Sequence, residues 1–394
     1  MVAAAVARSP ALAVMAHRAR ALVHAGRAEG SLPPAEVGFE AWNLPLGRPY
    51  ALGEADMYMV ELRQRFPAAG SLDARARAMA EEAQAMVAEL SSEERMVAER
   101  AANAFADYVQ AFAEQRLQER QLALLSRMGQ AVRARYTTGG AGLAEAARID
   151  VEVAKAERAL ARVAGDIARS RATLNAVLRR PSGAPLGAPR EVPPETVRLT
   201  VEELIARAEA NRGATLAADA RARAAGARRE AAEAEARVPE FMVGLGYWQD
   251  PTMRPGVGVT ASMSLPWLWG PGRDRVRQAE EEEAAERAAR ESAGLDTQGE
   301  VSEAHAQLQA LEAQLSVIRG QALSATQRSM EALTAAFSTG NASLLDWVDV
   351  ARSLLDLEME VIALHGDLQR GIASLERAVG TALPRTPLHE ESTP

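Results

Sequence analysis

Five histidines, His17, His24, His305, His365 and His389, have the widest scope for acid–base or metal chemistry in this chain. None stands in an HExxH or HxxxH spacing, so there is no local zinc motif. There is no cysteine, which removes thiolate ligands, thiol nucleophiles and disulfides together and leaves the redox compartment undecided. A phosphate loop, a nucleophile elbow and a paired acid/base motif are absent as well, so neither an enzyme nor a cofactor is expected. Met57, Met59, Met242, Met253 and Met263 gather around two stretches that read as strands. Copper would suit their sulfurs, but packing or lipid-facing bulk is the commoner use of methionine, and no metal is expected. Asp346 and Asp349 follow Gly340 by six and nine residues, where the first turn of a helix favours acids, and the run Glu280 to Glu283 reads as a solvated helix face.

The elements that would carry these residues follow from composition. The 394 residues hold 53 acidic and 45 basic side chains, a net charge of −8, so the basic footprint of a nucleic-acid binder is missing. Aromatic residues are only 4% while hydrophobic ones reach 48%, and long Ala-, Arg- and Glu-rich stretches favour helices packed side by side. No apolar run approaches the roughly 18 residues of a membrane-spanning helix. The start, Met1 to Arg18, lacks a basic segment followed by an apolar one and does not read as a secretory signal.

Proline ends helix interiors, and its distribution leaves two matched windows: 113 proline-free residues between Pro67 and Pro181, and 112 between Pro271 and Pro384. Val37, Gly38, Trp42 and Pro45 coincide with Val243, Gly244, Trp248 and Pro251 at an offset of 206. Tyr136 to Leu143 lines up with Phe337 to Leu344 at an offset of 201. The predicted fold is mainly α with a small β part, in two tandem repeats. The first covers residues 1–180, with strands at about 35–45 and 55–67 and a helical hairpin at about 71–180. A Pro/Gly-rich linker spans 181–199; the second repeat covers 200–380, with strands at about 240–249 and 256–267 and a hairpin at about 272–380. Residues 381–394 form a tail, and Thr200 with Glu203 predicts a capping box.

Leu354, Val361, Leu368 and Leu375 are seven apart, with Leu357 and Leu364 interleaved, which predicts coiled-coil packing of the last helix. Gly-containing breaks at Gly139 to Gly142 and at Gly340 to Ser343 split each window into an antiparallel hairpin. The strands alternate: Val257, Val259, Ala261, Met263, Leu265 and Trp267 oppose Gly258, Thr260, Ser262 and Ser264, while Tyr58, Val60, Leu62 and Phe66 oppose Glu61, Arg63 and Arg65. Such strands suit barrel staves with an apolar outside and a polar inside, and also a soluble sheet. Trp42, Trp248, Trp267 and Trp269 lie near strand ends, where interfacial aromatics occur in outer-membrane barrels.

The duplicated order of helix, strand pair and long hairpin resembles the TolC-like outer-membrane efflux proteins, or outer membrane factors, over nearly the whole chain. The segment Leu265-Pro266-Trp267-Leu268-Trp269-Gly270-Pro271-Gly272-Arg273 and the tip Phe337 to Asp346 carry the resemblance, and Phe66 to Gly70 with the Pro-rich linker looks most like the heavy-metal efflux branch. The resemblance implies a homotrimer whose twelve strands close a β-barrel in the outer membrane above an α-helical periplasmic tunnel, because four strands cannot close a barrel alone. It implies a periplasmic adaptor protein and an inner-membrane pump as partners, contact with outer-membrane lipid, and conduction without catalysis.

By the same resemblance Asp346, Asp349 and the matching Glu145 would form a periplasmic gate; Arg148 replaces the second acid of the first copy, and a pairing between copies is open. Thr138, Gly139, Leu143, Thr339, Gly340 and Leu344 would meet the adaptor, though glycine explains those turns without any partner. The competing reading is a soluble coiled-coil scaffold whose strands form a small sheet.

Overall fold

The computed structural model describes residues 1–48, 50–190, 193–250 and 254–388. The turn residues Pro251 to Met253, the linker residues Glu191 and Val192 and the tail from His389 to Pro394 lie outside the described residues, as does Pro49. The chain runs through helices α1 (Val2–Ala7) and α2 (Pro10–Glu29), strands β1 (Glu36–Trp42) and β2 (Met57–Phe66), and helices α3 (Ser71–Thr137) and α4 (Leu143–Val177). After strand β3 (Glu195–Thr196) come α5 (Val201–Asn211), α6 (Gly213–Arg237), β4 (Phe241–Gln249) and β5 (Gly256–Met263). Helix α7 (Gly272–Val317), a wide π turn at Ile318–Leu323, α8 (Ser324–Ser338), α9 (Leu344–Val379) and β6 (Thr386–Pro387) complete it. No helix among the described residues is long and apolar enough to cross a membrane.

The chain divides into two compact units, each assembled from both halves of the sequence. The first comprises Met1–Leu12, Ser91–Arg212 and Asp296–Pro394. Its largest core joins Leu204 and Ala208 of α5, Val301, Leu308 and Leu315 of α7, and Leu364, Leu368, Ile372 and Leu375 of α9; of the seven-residue stripe, Val361, Leu368 and Leu375 pack here and Leu354 packs against a second cluster. Thr200 caps α5 as predicted: its hydroxyl accepts from the Glu203 amide at 3.3 Å, and the Glu203 carboxylate accepts from the Thr200 amide at 3.0 Å. The linker is not wholly irregular, because Glu195 and Thr196 pair with Pro387 and Thr386, and the Leu388 amide donates to Pro194 at 2.9 Å.

The second unit, Ala13–Leu90 with Gly213–Leu295, holds a four-stranded antiparallel sheet in the order β1-β2-β4-β5. Its helices touch through small residues: Ala74, Ala78 and Ala85 of α3 and Ala217, Ala220, Ala224 and Ala231 of α6 are buried. A Cβ on Gly30 would lie 3.0 Å from that of Ala76, so glycine lets α2 approach α3. Ion pairs line this contact, with Arg77 2.6 Å from Glu230, Arg223 2.9 Å from Glu81 and Arg228 2.7 Å from Glu82. The run Glu280 to Glu283 departs from a fully solvated face. Glu283 is buried beside Gly226 and accepts from Arg229 and Arg287, because glycine leaves room for its carboxylate.

Register settles which residues share each face of the sheet. Val37 and Phe39, Val60 and Leu62, Val243, Leu245 and Tyr247, and Val257, Val259 and Met263 form one exposed apolar face. Glu36, Glu40, Glu61, Arg63, Gly244, Gly246, Gly258, Thr260 and Ser262 form the other. Trp42 and Trp248 share this polar face, as do Met57, Met59 and Met242. Strand β5 ends at Met263, short of the expected residue 267: Pro266 has no amide to continue a ladder, and Leu265 to Leu268 closes a turn at 3.2 Å.

In the first unit the π turn places Arg319 so that its guanidinium donates to Nε2 of His365 on α9 at 2.8 Å, which requires a neutral imidazole. Burial, reinforced by the Arg319 charge, pushes the His365 pKa from 6.5 down to about 4. A depressed histidine contributes stability that is fully present above the unfolded value and is lost as pH falls through the folded one. Stability of this unit is therefore expected to decline between pH 6.5 and 4 by up to about 2 kcal/mol, discounted for partial exposure. Denaturation followed by helical circular dichroism across that range should show the decline flattened in His365→Gln.

Candidate functional site

The two hairpin tips in the first unit are built alike from local chemistry. Helix α3 ends at Thr137, Gly139 takes φ 77°, and the Gly140 amide donates to Arg135 at 2.8 Å; α8 ends at Ser338, Gly340 takes φ 79°, and the Asn341 amide donates to Ala336 at 2.9 Å. A left-handed residue suits glycine, which explains both positions. Thr138 and Thr339 donate back to the carbonyls of Arg135 and Ala336, each at 3.0 Å. Arg135 ties the tips together, donating to the carbonyls of Phe337 (3.2 Å) and Gly140 (3.1 Å) with its guanidinium 4.9 Å above the Phe337 ring.

The sequence-predicted acids start the return helices. Glu145 accepts from the Gly142 amide at 3.3 Å; Asp346 accepts from the Ser343 hydroxyl at 2.7 Å, and its own amide donates to that hydroxyl at 3.1 Å. Glu145 thus completes the capping box of α4 and Asp346 holds Ser343, the N-cap of α9, each near a helix N-terminus where the dipole favours a negative charge. Asp349 is exposed, 4.0 Å from Arg148 and 3.8 Å from Arg352. Arg148, at the position matched to Asp349 in the sequence, thus faces that acid within the same chain.

Between Asp346 and Asp349 the wholly buried Trp347 donates from Nε1 to Thr334 at 3.0 Å and anchors the first turn of α9. Leu143 is 68% exposed, whereas Leu344 is 1% exposed in the tip core with Val132, Ile149 and Phe337. The expected surface role of Leu344 is thereby corrected: the apolar interior of the second tip takes it, and only Leu143 of the pair presents itself. Trp267 and Trp269 are exposed in the turn after β5, while Trp42 and Trp248 stand with the polar face of the sheet and not with the apolar one. No group of three His, Cys, Asp or Glu side chains suited to a metal ion occurs among the described residues.

Sequence reasoning missed the strongest ionic contact at this end. Glu152 of α4, nearly buried, accepts two hydrogen bonds from Arg352 of α9 and a third from Lys155 at 3.0 Å. Burial alone would raise its pKa, but the bonds from Arg352 and Lys155 outweigh it and hold the carboxyl below its usual range; the same pair holds Arg352 above its own. The signal available was weak: Glu152 and Arg352 are two ordinary charges 200 positions apart. Glu152→Gln should weaken the α4–α9 contact by about 1–3 kcal/mol, read as faster hydrogen exchange around Ile149 and Ala351. In the unsubstituted chain the same contribution is present above the ordinary glutamate value and should be lost as pH falls through the depressed folded one.

With this geometry in view, residues 204–381 match the family model described as outer membrane efflux protein. A search of curated protein sequences finds no match. Among solved structures, a membrane protein from Pseudomonas aeruginosa superposes with a TM-score of 0.79 at 20% identity, covering 96% of this chain and 92% of that one. The outer membrane protein VceC of Vibrio cholerae gives 0.79 at 19% identity over 97% and 95% of the two chains. The open-state MtrE outer membrane channel of Neisseria gonorrhoeae gives 0.76 at 18%, over 97% and 88%. These likenesses establish that the chain shares their fold.

Proposed function

We propose that this chain, whose residues 204–381 match the outer membrane efflux protein family model, is the outer-membrane channel of a tripartite efflux system. It would conduct substrates outward from a periplasmic adaptor and an inner-membrane pump. The observation that carries the reading is the sheet: four antiparallel strands with two open edges, an exposed apolar face and a polar opposite face. Val37 and Val259 are each 74% exposed there, which a soluble scaffold would not sustain along a whole face, but lipid would cover it. Edges β1 and β5 call for strands from another copy, and three copies supply the twelve strands that a barrel can close with.

In this reading Trp267 and Trp269 lie at the membrane interface, while Trp42 and Trp248 turn to the lumen. The tips face the periplasm, where Thr138, Gly139, Leu143, Thr339 and Gly340 are exposed for the adaptor. Asp346 and Asp349 form the gate, with Glu145 beside them; Arg148 and Arg352 partly offset Asp349 within each chain.

Purified behind an efficient export signal, the chain should be a detergent-dependent, heat-sensitive trimer; a monodisperse soluble monomer or dimer would remove the channel reading. In planar bilayers, Asp346→Asn with Asp349→Asn should raise single-channel conductance or weaken cation block. Unchanged conductance and block would remove the gate assignment alone.

A further inference from the structure

The polar face of the sheet carries a continuous chain of hydrogen bonds from one edge strand to the other. On β1, Trp42 Nε1 donates to Glu40 Oε2 at 3.0 Å. The other oxygen of Glu40 faces Arg63 of β2 at 3.4 Å, and Arg63 Nε donates to Glu61 Oε2 at 2.7 Å. From β5, Thr260 Oγ1 donates to Glu61 Oε1 at 2.9 Å. The last bond crosses the whole width of β4, and it can do so only because β4 has glycine there. A Cβ on Gly244 would sit 2.3 Å from Thr260 Oγ1 and 2.5 Å from Glu61 Oε1. One step along, the Trp248 indole lies flat over Gly256 and Gly258, where any Cβ would come within 2.6 Å of its ring.

The chain of bonds holds two carboxylates against one guanidinium. Glu61 is nearly covered, at 9% side-chain exposure, and its charge is matched by Arg63. Glu40, at 39% exposure, sits at the far and longer end of the arginine contact, so its charge is the one left facing out. Of the remaining charges of the face, Glu36 stands opposite Arg63 and Arg65 opposite Met242 in the register, so these two add one charge of each sign and leave the surplus unchanged.

We infer that this belt is a charge-selective lining of the channel in the sheet region, separate from the tip acids, and that it favours cationic over anionic solutes. The inference rests on the channel reading, in which three copies of the belt ring one lumen with three surplus carboxylates. Glu61, Arg63, Thr260 and Gly244 position the layer; Glu40 supplies the field that a passing ion meets.

The test is the reversal potential of the full-length chain in planar bilayers under a KCl gradient, with the tip acids already neutralised by Asp346→Asn and Asp349→Asn. On that background Glu40→Gln keeps an acceptor for Trp42 and should lower the potassium-to-chloride permeability ratio by about twofold or more. Arg63→Gln should raise the ratio, because it leaves Glu61 uncompensated. A ratio unmoved by Glu40→Gln in a heat-modifiable trimer would overturn the inference and leave the channel reading standing. A trimer that conducts nothing in any of these forms would overturn the channel reading, and the inference with it.

Discussion

Peptide groups along β1 and β5 point away from the sheet, and every other feature of the second unit has to answer for them. Burying such groups in hydrocarbon unpaired costs several kcal/mol each, and leaving them in water invites uncontrolled pairing. Closure with further copies, as proposed above, would satisfy both conditions at once. It also assigns the two faces of the sheet, since closure leaves an outside that must be apolar and an inside that must be wet. The strict alternation of Val257, Val259 and Ala261 with Gly258, Thr260 and Ser262 is the pattern that the proposed closure would require.

The helices meet a different constraint, the close approach of long parallel surfaces. Alanines at the α3–α6 contact remove side-chain bulk and leave arginine–glutamate pairs to flank the seam. Exposed pairs of this kind contribute little to stability, about 0–1 kcal/mol each, but they penalise a sliding register. Large side chains are reserved for the first unit, where Leu368, Ile372 and Leu375 fill a conventional core, and for the tips, where Trp347 does.

Periodicity made much of this legible. Period-2 alternation placed four strands to within a few residues, proline-free windows delimited the hairpins, and the left-handed glycines marked the turns. Contacts that depend on three-dimensional proximity were not legible: the Glu152–Arg352 pair, the clasp of Arg135 on Phe337 and the burial of Leu344 opposite an exposed Leu143. Segments with matching patterns meet different surroundings after folding, and the pattern records only what they share. The same limit explains Trp42 and Trp248. Proximity to a strand end was visible, but the face depended on counting from Glu40 and Glu61, and that count places both indoles with the acids.

The wide turn at Ile318–Leu323 has a numerical consequence. Val301, Leu308 and Leu315 are buried seven apart on α7, and Met330 and Phe337 are buried seven apart on α8, yet Leu315 and Met330 are separated by fifteen positions where two heptads would allow fourteen. An unbroken α-helix would carry that surplus residue forward as a rotation of about 100°. The second stripe would then face away from the tip core. A π turn accommodates one additional residue per turn and so resets the phase, as a skip residue does in a long coiled coil. The segment thus joins two hydrophobic frames that differ by one residue, and Arg319, which meets His365, lies within it.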